Sequence, residues 1–155
     1  MWACSGGSTV TPSQKGDDGE IELTGTVKNG KVDVTVRLNK NCGINAMDLI
    51  LQYDTKLLTL TGMDEGSALK SLDLMTTNTA TEKGYSVTPF KFSYLNANKN
   101  DTSTGVMFTL HFSVKKGASG STTVGIKYND GNIKSLTDDG IVTRKFSILP
   151  ATVSL

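Results

Sequence analysis

At 155 residues the chain is long enough for one domain that packs a core without metal or disulfide staples. Sixteen Lys and Arg against fifteen Asp and Glu exclude the one-signed field that would recruit nucleic acid or an anionic membrane. Sixteen glycines, only three prolines and an abundance of Thr, Ser and Val fit an all-β domain with many turns.

Residues 1–19, MWACSGGSTVTPSQKGDDG, are small and polar and read as a flexible Gly/Ser-rich leader or linker. No run reaches transmembrane length and the first residues lack the apolar core of a signal peptide, so Met1 reads as a start added for expression. Trp2-Ala3-Cys4-Ser5 loosely resembles a lipoprotein cleavage site, but the hydrophobic segment that should precede one is absent. Cys4 and Cys42 sit at no metal-ligand spacing. Cys42 is expected to be a free, partly buried thiol, and a Cys4–Cys42 bridge would require the leader to fold back.

The domain begins near Glu20. Residues 21–27 alternate, Asn29-Gly30 is a two-residue hairpin signal, and residues 31–38 alternate again with Val32, Val34, Val36 and Leu38 inward. The segment 43–60, GINAMDLILQYDTKLLTL, organises the rest. Asn45, Met47, Leu49, Leu51 and Tyr53 share the core face of a strand, while Ala46, Asp48, Ile50 and Gln52 share the outer one. Tyr53-Asp54 closes the strand in a turn, and Leu57, Leu58 and Leu60 begin the next.

Residues 63–81 are the least regular, and residues 67–74 read as either a short helical turn or a bent strand. Residues 85–95 form a strand with Phe90, Phe92 and Tyr94 on one face and Lys91, Ser93 and Leu95 on the other, and Pro89 marks an edge, a bulge or its true start. A polar loop, 96–104, leads to a cleanly alternating strand, 105–114, with Val106, Phe108, Leu110, Phe112 and Val114 inward. Residues 122–130 place Val124, Ile126 and Tyr128 inward, Asn129-Asp130-Gly131 turns, 136–140 is a further polar loop, and Pro150 interrupts the closing segment. About eight or nine strands at intervals of roughly ten residues, without a helical period, mean a β-sandwich.

Catalytic signals are thin. His111 is the sole histidine, lies at an outward parity between Met107, Thr109 and Ser113, and reads as a surface residue. There is no phosphate loop, HExxH or GxSxG motif, and neither cysteine has a histidine at a nucleophile-pair spacing. The pairs Asp17-Asp18, Asp64-Glu65 and Asp138-Asp139 fall in turns, where Asp is favoured for backbone reasons. Asp138-Asp139-Gly140 and Asp130-Gly131 faintly resemble calcium turns but do not continue as an EF-hand loop. A carbohydrate-binding module is a rival reading, weakened because Trp2 lies in the leader, four of the five phenylalanines fall inward with the fifth, Phe146, in the last strand, and Tyr85, Tyr94 and Tyr128 make no row on one outer face.

Gly43, Ile44, Asp48, Tyr53-Asp54 and Leu57 fall at the spacings of the third strand of a known family. Residues 91–96, KFSYLN, and the Gly-led strand GVMFTLHFSV at 105–114 follow in its order. Over about residues 20–155 the chain thus resembles the cohesin domain of bacterial cellulosome scaffoldins. The resemblance implies an all-β, nine-stranded jelly-roll β-sandwich, cohesin-like and non-catalytic. It implies that the sheet holding the third, fifth, sixth and eighth strands binds a dockerin, whose two loops carry the calcium, so that no cofactor belongs to this chain. It also implies a module that is extracellular or on the bacterial cell surface; the oligomeric state is open, with a monomer as the default. Asp48 matches the third-strand aspartate that bonds a dockerin helix in the best-known cohesins, and Ala46 stands where those carry asparagine.

The outer face read from the residues agrees: Ala46, Asp48, Ile50 and Gln52, with Lys91, Ser93 and Leu95 from a second strand and Lys127 from a third, mix apolar anchors with polar groups as interfaces do. A solvated sheet with scattered exposed apolars and pairing along an open strand edge are the alternatives.

Overall fold

The computed structural model describes residues 10–76 and 90–155. Among these the alternating stretches become twelve strands and no helix. They are β1 (Gly19–Lys28), β2 (Lys31–Asn41), β3 (Ala46–Gln52), β4 (Leu58–Glu65), β5 (Asp73–Thr76), β6 (Lys91–Leu95), β7 (Gly105–Val114), β8 (Ser121–Lys127), β9 (Ile133–Thr137), β10 (Gly140–Thr143), β11 (Phe146–Leu149) and β12 (Ala151–Ser154). One sheet runs β11-β1-β2-β7-β4; the other runs β10-β9-β3-β6-β5, with β8 beside β3 and β12 beyond β8. The two inner faces meet in the sandwich core, where Phe92 of β6 packs edge-on against Phe108 of β7 with ring centroids 4.6 Å apart.

The Asn-Gly signal produces the expected hairpin. Asn29 (φ 52°) and Gly30 (φ 74°) both take the left-handed conformation that a two-residue turn needs to match strand twist. Val32, Val34, Val36 and Leu38 are fully buried, as alternation requires.

Several expectations change. Twelve strands replace the expected nine for three reasons. The irregular stretch resolves into a turn, closed by the Leu72 N–H donating to the Leu69 carbonyl, followed by β5. Residues 136–140 are no polar loop but the ends of β9 and β10, joined across a tip at Asp138-Asp139. Pro150 divides the last segment: β11 pairs in parallel with β1, and β12 pairs antiparallel with β8 in the opposite sheet. A proline has no N–H to give to a ladder, so it stands where the chain leaves one sheet for the other.

In β7 the parity slips. Val106, expected inward, is only half-buried, and Met107, expected outward, is fully buried. Val36 faces Phe108 while Arg37 faces Val106, so Met107 is the extra residue of a β-bulge that turns two successive side chains inward.

Cys42 is exposed rather than partly buried. Its neighbour Asn41 turns in instead, donating its amide to the carbonyls of Asp101 and Ser103. Residues 13–18, assigned to the leader by composition, are bonded to the domain. Gln14 forms a bridge with Ile148, its side chain bonds both the N–H and the carbonyl of Tyr128, and the Asp18 N–H donates to Lys145. Composition alone misses this because the tie is made by backbone and amide groups, not by apolar burial. Trp2, Cys4, Tyr85 and Pro89, and with them the proposed bridge, lipidation site and strand start, lie outside the described residues.

Candidate functional site

β3 lies inside its sheet with its inward residues Met47, Leu49 and Leu51 buried and its outward ones, Ala46, Asp48, Ile50 and Gln52, half-buried or exposed. Its entry is pinned from several sides. Gly43 takes φ 109°, a conformation open mainly to glycine, and its carbonyl accepts a hydrogen bond from Ser135. Ile44 exchanges backbone hydrogen bonds with Asp101. Burial pushes the Asp101 carboxyl up, but hydrogen bonds from Ser103 and Ser71 outweigh this and hold it below its ordinary value, so the 96–104 loop is anchored by a carboxylate. The strand exits through the expected turn, where Asp54 accepts from the N–H groups of Lys56, Leu57 and Leu58.

β6 lies along one edge of β3, while β9 and β8 share the other, β9 beside its first residues and β8 beside its last. Pairing then dictates which outward side chains are neighbours. Ala46 sits between Leu95 and Lys134. Asp48 sits beside Ser93, whose hydroxyl donates to Asp48 Oδ1 at 2.5 Å, and its N–H is held by the Asn132 carbonyl. Ile50 sits between Lys91 and Lys127, and Gln52 faces Gly125. All eight residues singled out in the sequence therefore lie on one outer surface.

That surface has two shallow depressions. One is lined by Ile50, Gln52, Tyr53, Phe90, Lys91 and Lys127; the other by Asp48, Ile50, Lys91, Ser93, Asn129 and Asn132. Ile50 belongs to both. Among the described residues neither Lys91 nor Lys127 has a carboxylate within ion-pair distance.

Sequence reasoning missed part of this face. Met75 of β5 lies opposite Ser93 and is 46% exposed, close to the 44% of Leu95. Asp73 lies opposite Leu95. Beyond β3, Lys134 pairs with Thr143, and Leu136 with Ile141, which is 64% exposed. Met75 was hidden in a stretch without clear period. Lys134 and Ile141 fell between or within segments read as turns, although the alternation Ile133–Ser135 inward, Lys134–Leu136 outward was a usable signal.

No group of three or more His, Cys, Asp or Glu side chains among the described residues could hold a metal ion. His111, read as a surface residue, is the centre of a clamp on the opposite sheet. Its Nδ1 lies 2.7 Å from Asp33 Oδ1 and its Nε2 lies 2.8 Å from Asp64 Oδ2, joining β2, β7 and β4. Only an imidazolium donates from both nitrogens, and the hydrogen bonds to Asp33 and then Asp64 raise its pKa. Parity told that His111 points outward; the partners come from neighbouring strands and needed the register.

The fold is similar to that of the seventh ScaB type I cohesin from Pseudobacteroides cellulosolvens (TM-score 0.68, 16% identity, 88% of this chain and 91% of that one). It is also similar to a non-cellulosomal cohesin from the archaeon Archaeoglobus fulgidus (TM-score 0.65, 16% identity, 89% and 91%). A third is the chain of a type I cohesin–dockerin complex, Coh-OlpA-Doc918 from Clostridium thermocellum (TM-score 0.61, 18% identity, 89% and 99%). No curated protein matches at the level of sequence. The sequence profile of the cohesin domain matches residues 20–147, which is most of the chain. The protein is a member of the cohesin domain family.

Proposed function

We propose that this chain is a non-catalytic docking module. The outer face of β3, β6 and β8 binds a calcium-loaded dockerin, and the binding assembles or anchors a cellulosome-type complex outside the cell or on its surface. Membership of the cohesin family supports the partner class, and solved cohesins of this fold are bound to dockerins. The observation that carries the reading is the face itself: Ile50 and Leu95 lie among Asp48, Ser93, Gln52, Lys91 and Lys127 on a sheet surface that nothing within the described chain covers. Apolar anchors ringed by polar groups are the arrangement in which a few residues supply most of the binding energy. Ala46, lacking a polar head, leaves the Asp48 end with one donor-seeking group rather than two. The domain acts as a monomer, and the calcium belongs to the dockerin.

Calorimetric titration with a panel of dockerins, each with calcium and again with EDTA, tests this. One-to-one binding that requires calcium is the expected result. Absence of binding across the panel, with heat released on adding soluble glucans or xylans, would replace it with a carbohydrate-binding role. The double substitution Asp48→Ala with Ile50→Ala should weaken binding and leave the melting temperature unchanged, since both side chains point outward. Unchanged affinity would remove this face from the reading.

A further inference from the structure

Charge alternates along β3, with Lys91 and Lys127 beside Ile50, Asp48 one outward step away and Lys134 beside Ala46 one step further. The Ile50 row identifies the chemistry of the partner. Lys91 and Lys127 are the two direct cross-strand neighbours of Ile50, one on each side. Their Cα atoms are therefore separated by two strand spacings, roughly 10 Å, across an apolar floor. Both are exposed, and among the described residues neither meets a carboxylate. One outward step back along the strand, about 6.6 Å away, the charge reverses. Asp48 accepts from Ser93 through Oδ1, and no hydrogen bond among the described residues reaches its Oδ2.

We propose, resting on the dockerin reading above, that the dockerin recognised by this chain carries an acidic recognition helix. One Asp or Glu of that helix reaches the Lys91–Lys127 pair across Ile50, and a hydroxyl, amide or cationic donor reaches Asp48. The roughly 6.6 Å separation of the two rows is close to one helical turn of about 5.4 Å. The donor and the carboxylate therefore sit three or four residues apart on the same side of the helix. A partner with Lys or Arg over Ile50 is rejected, because it would place three cations together as the site loses water. Like-charge juxtaposition of this kind is how interfaces exclude wrong partners. Lys91 and Lys127 are thus the specificity-determining residues, while Ile50 supplies contact area to either class.

The test uses the whole chain and calcium-loaded dockerins grouped by the charge of the helix residues. Acidic members are expected to bind, with affinity falling at least tenfold between 50 and 500 mM NaCl, as screening of a lysine–carboxylate contact requires. The double variant Lys91→Glu, Lys127→Glu should lose at least tenfold in affinity for them and regain it against a dockerin whose helix carboxylate is replaced by lysine. If the charge reversal compromises folding, Lys91→Gln with Lys127→Gln and the salt series on wild type give the same reading. A dockerin that binds wild type and the charge-reversed variant equally, at both salt concentrations, overturns this proposal and leaves the docking module standing. A panel in which no dockerin binds wild type overturns both.

Discussion

The two outer faces of this sandwich are built from the same alternating strands and end up with opposite characters. On the sheet of β1, β2, β7 and β4 several outward polar groups bond one another, while Lys31 and Arg37 meet no carboxylate among the described residues. His111 bridges Asp33 and Asp64, and the Asn39 amide donates to both Glu20 and Glu22. On the sheet of β3, β6, β8 and β9 apolar side chains stand among the outward polar ones: Leu95, Met75 and Ile141 are exposed, Ile50 is half-buried, and Lys91 and Lys127 stand without carboxylates among the described residues. Net charge and composition are blind to this difference. What separates a finished surface from one awaiting a partner is whether its polar groups have already found each other within the chain.

Four variants and one control probe that contrast. The largest effect lies in the core both faces share. Phe92→Ala removes the ring that packs on Phe108 and should destabilise the domain by about 3–5 kcal/mol, read in urea unfolding. Dockerin binding should weaken with it, because β6 carries part of the docking face.

Next comes Ile50→Asp. It places a carboxylate at the centre of the apolar floor and should cost at least ~2 kcal/mol of dockerin binding, about thirtyfold in Kd. Stability should fall by only about 1 kcal/mol, because Ile50 is half-buried on the outer face and not part of the core. The control Thr35→Asp, on the outer face of β2, should leave dockerin binding unchanged. If both variants lose affinity equally, the two faces are not functionally distinct.

Leu95→Ser with Met75→Ser tests whether the face extends to the β5 edge. A loss of about 1 kcal/mol, several-fold in Kd, is expected; no change would confine the interface to β3, β6 and β8.

The smallest effect belongs to the closed face. His111 sits partly exposed between two exposed carboxylates, so His111→Gln should lower stability by under ~1 kcal/mol. Its signature is pH. The folded-state pKa is raised, so the clamp contributes fully below the ordinary histidine value of 6.5 and fades as the pH climbs through the raised value. Wild-type melting temperature should therefore fall over that interval relative to His111→Gln, and parallel profiles would show that the clamp does not act on stability.

Residue order alone carried the all-β class, the hairpin at Asn29-Gly30, the inward set of β2 and the outward set of β3. Each of these follows from a period of two and from local turn chemistry, which are properties of neighbours in the chain. The similarity of residues 43–60 and 105–114 to cohesins carried the family. The sequence could not show that Met107 turns inward, since a bulge is defined only against the facing strand. Nor could it show that β5, β9 and β10 enlarge the face, or that the closing segment crosses between sheets at Pro150. The pairing of His111 with two carboxylates, and of Ile50 with two lysines, was equally hidden. Both depend on register between strands far apart in sequence, where one residue of slip exchanges every inward side chain for an outward one. Only the assembled sheets decide that.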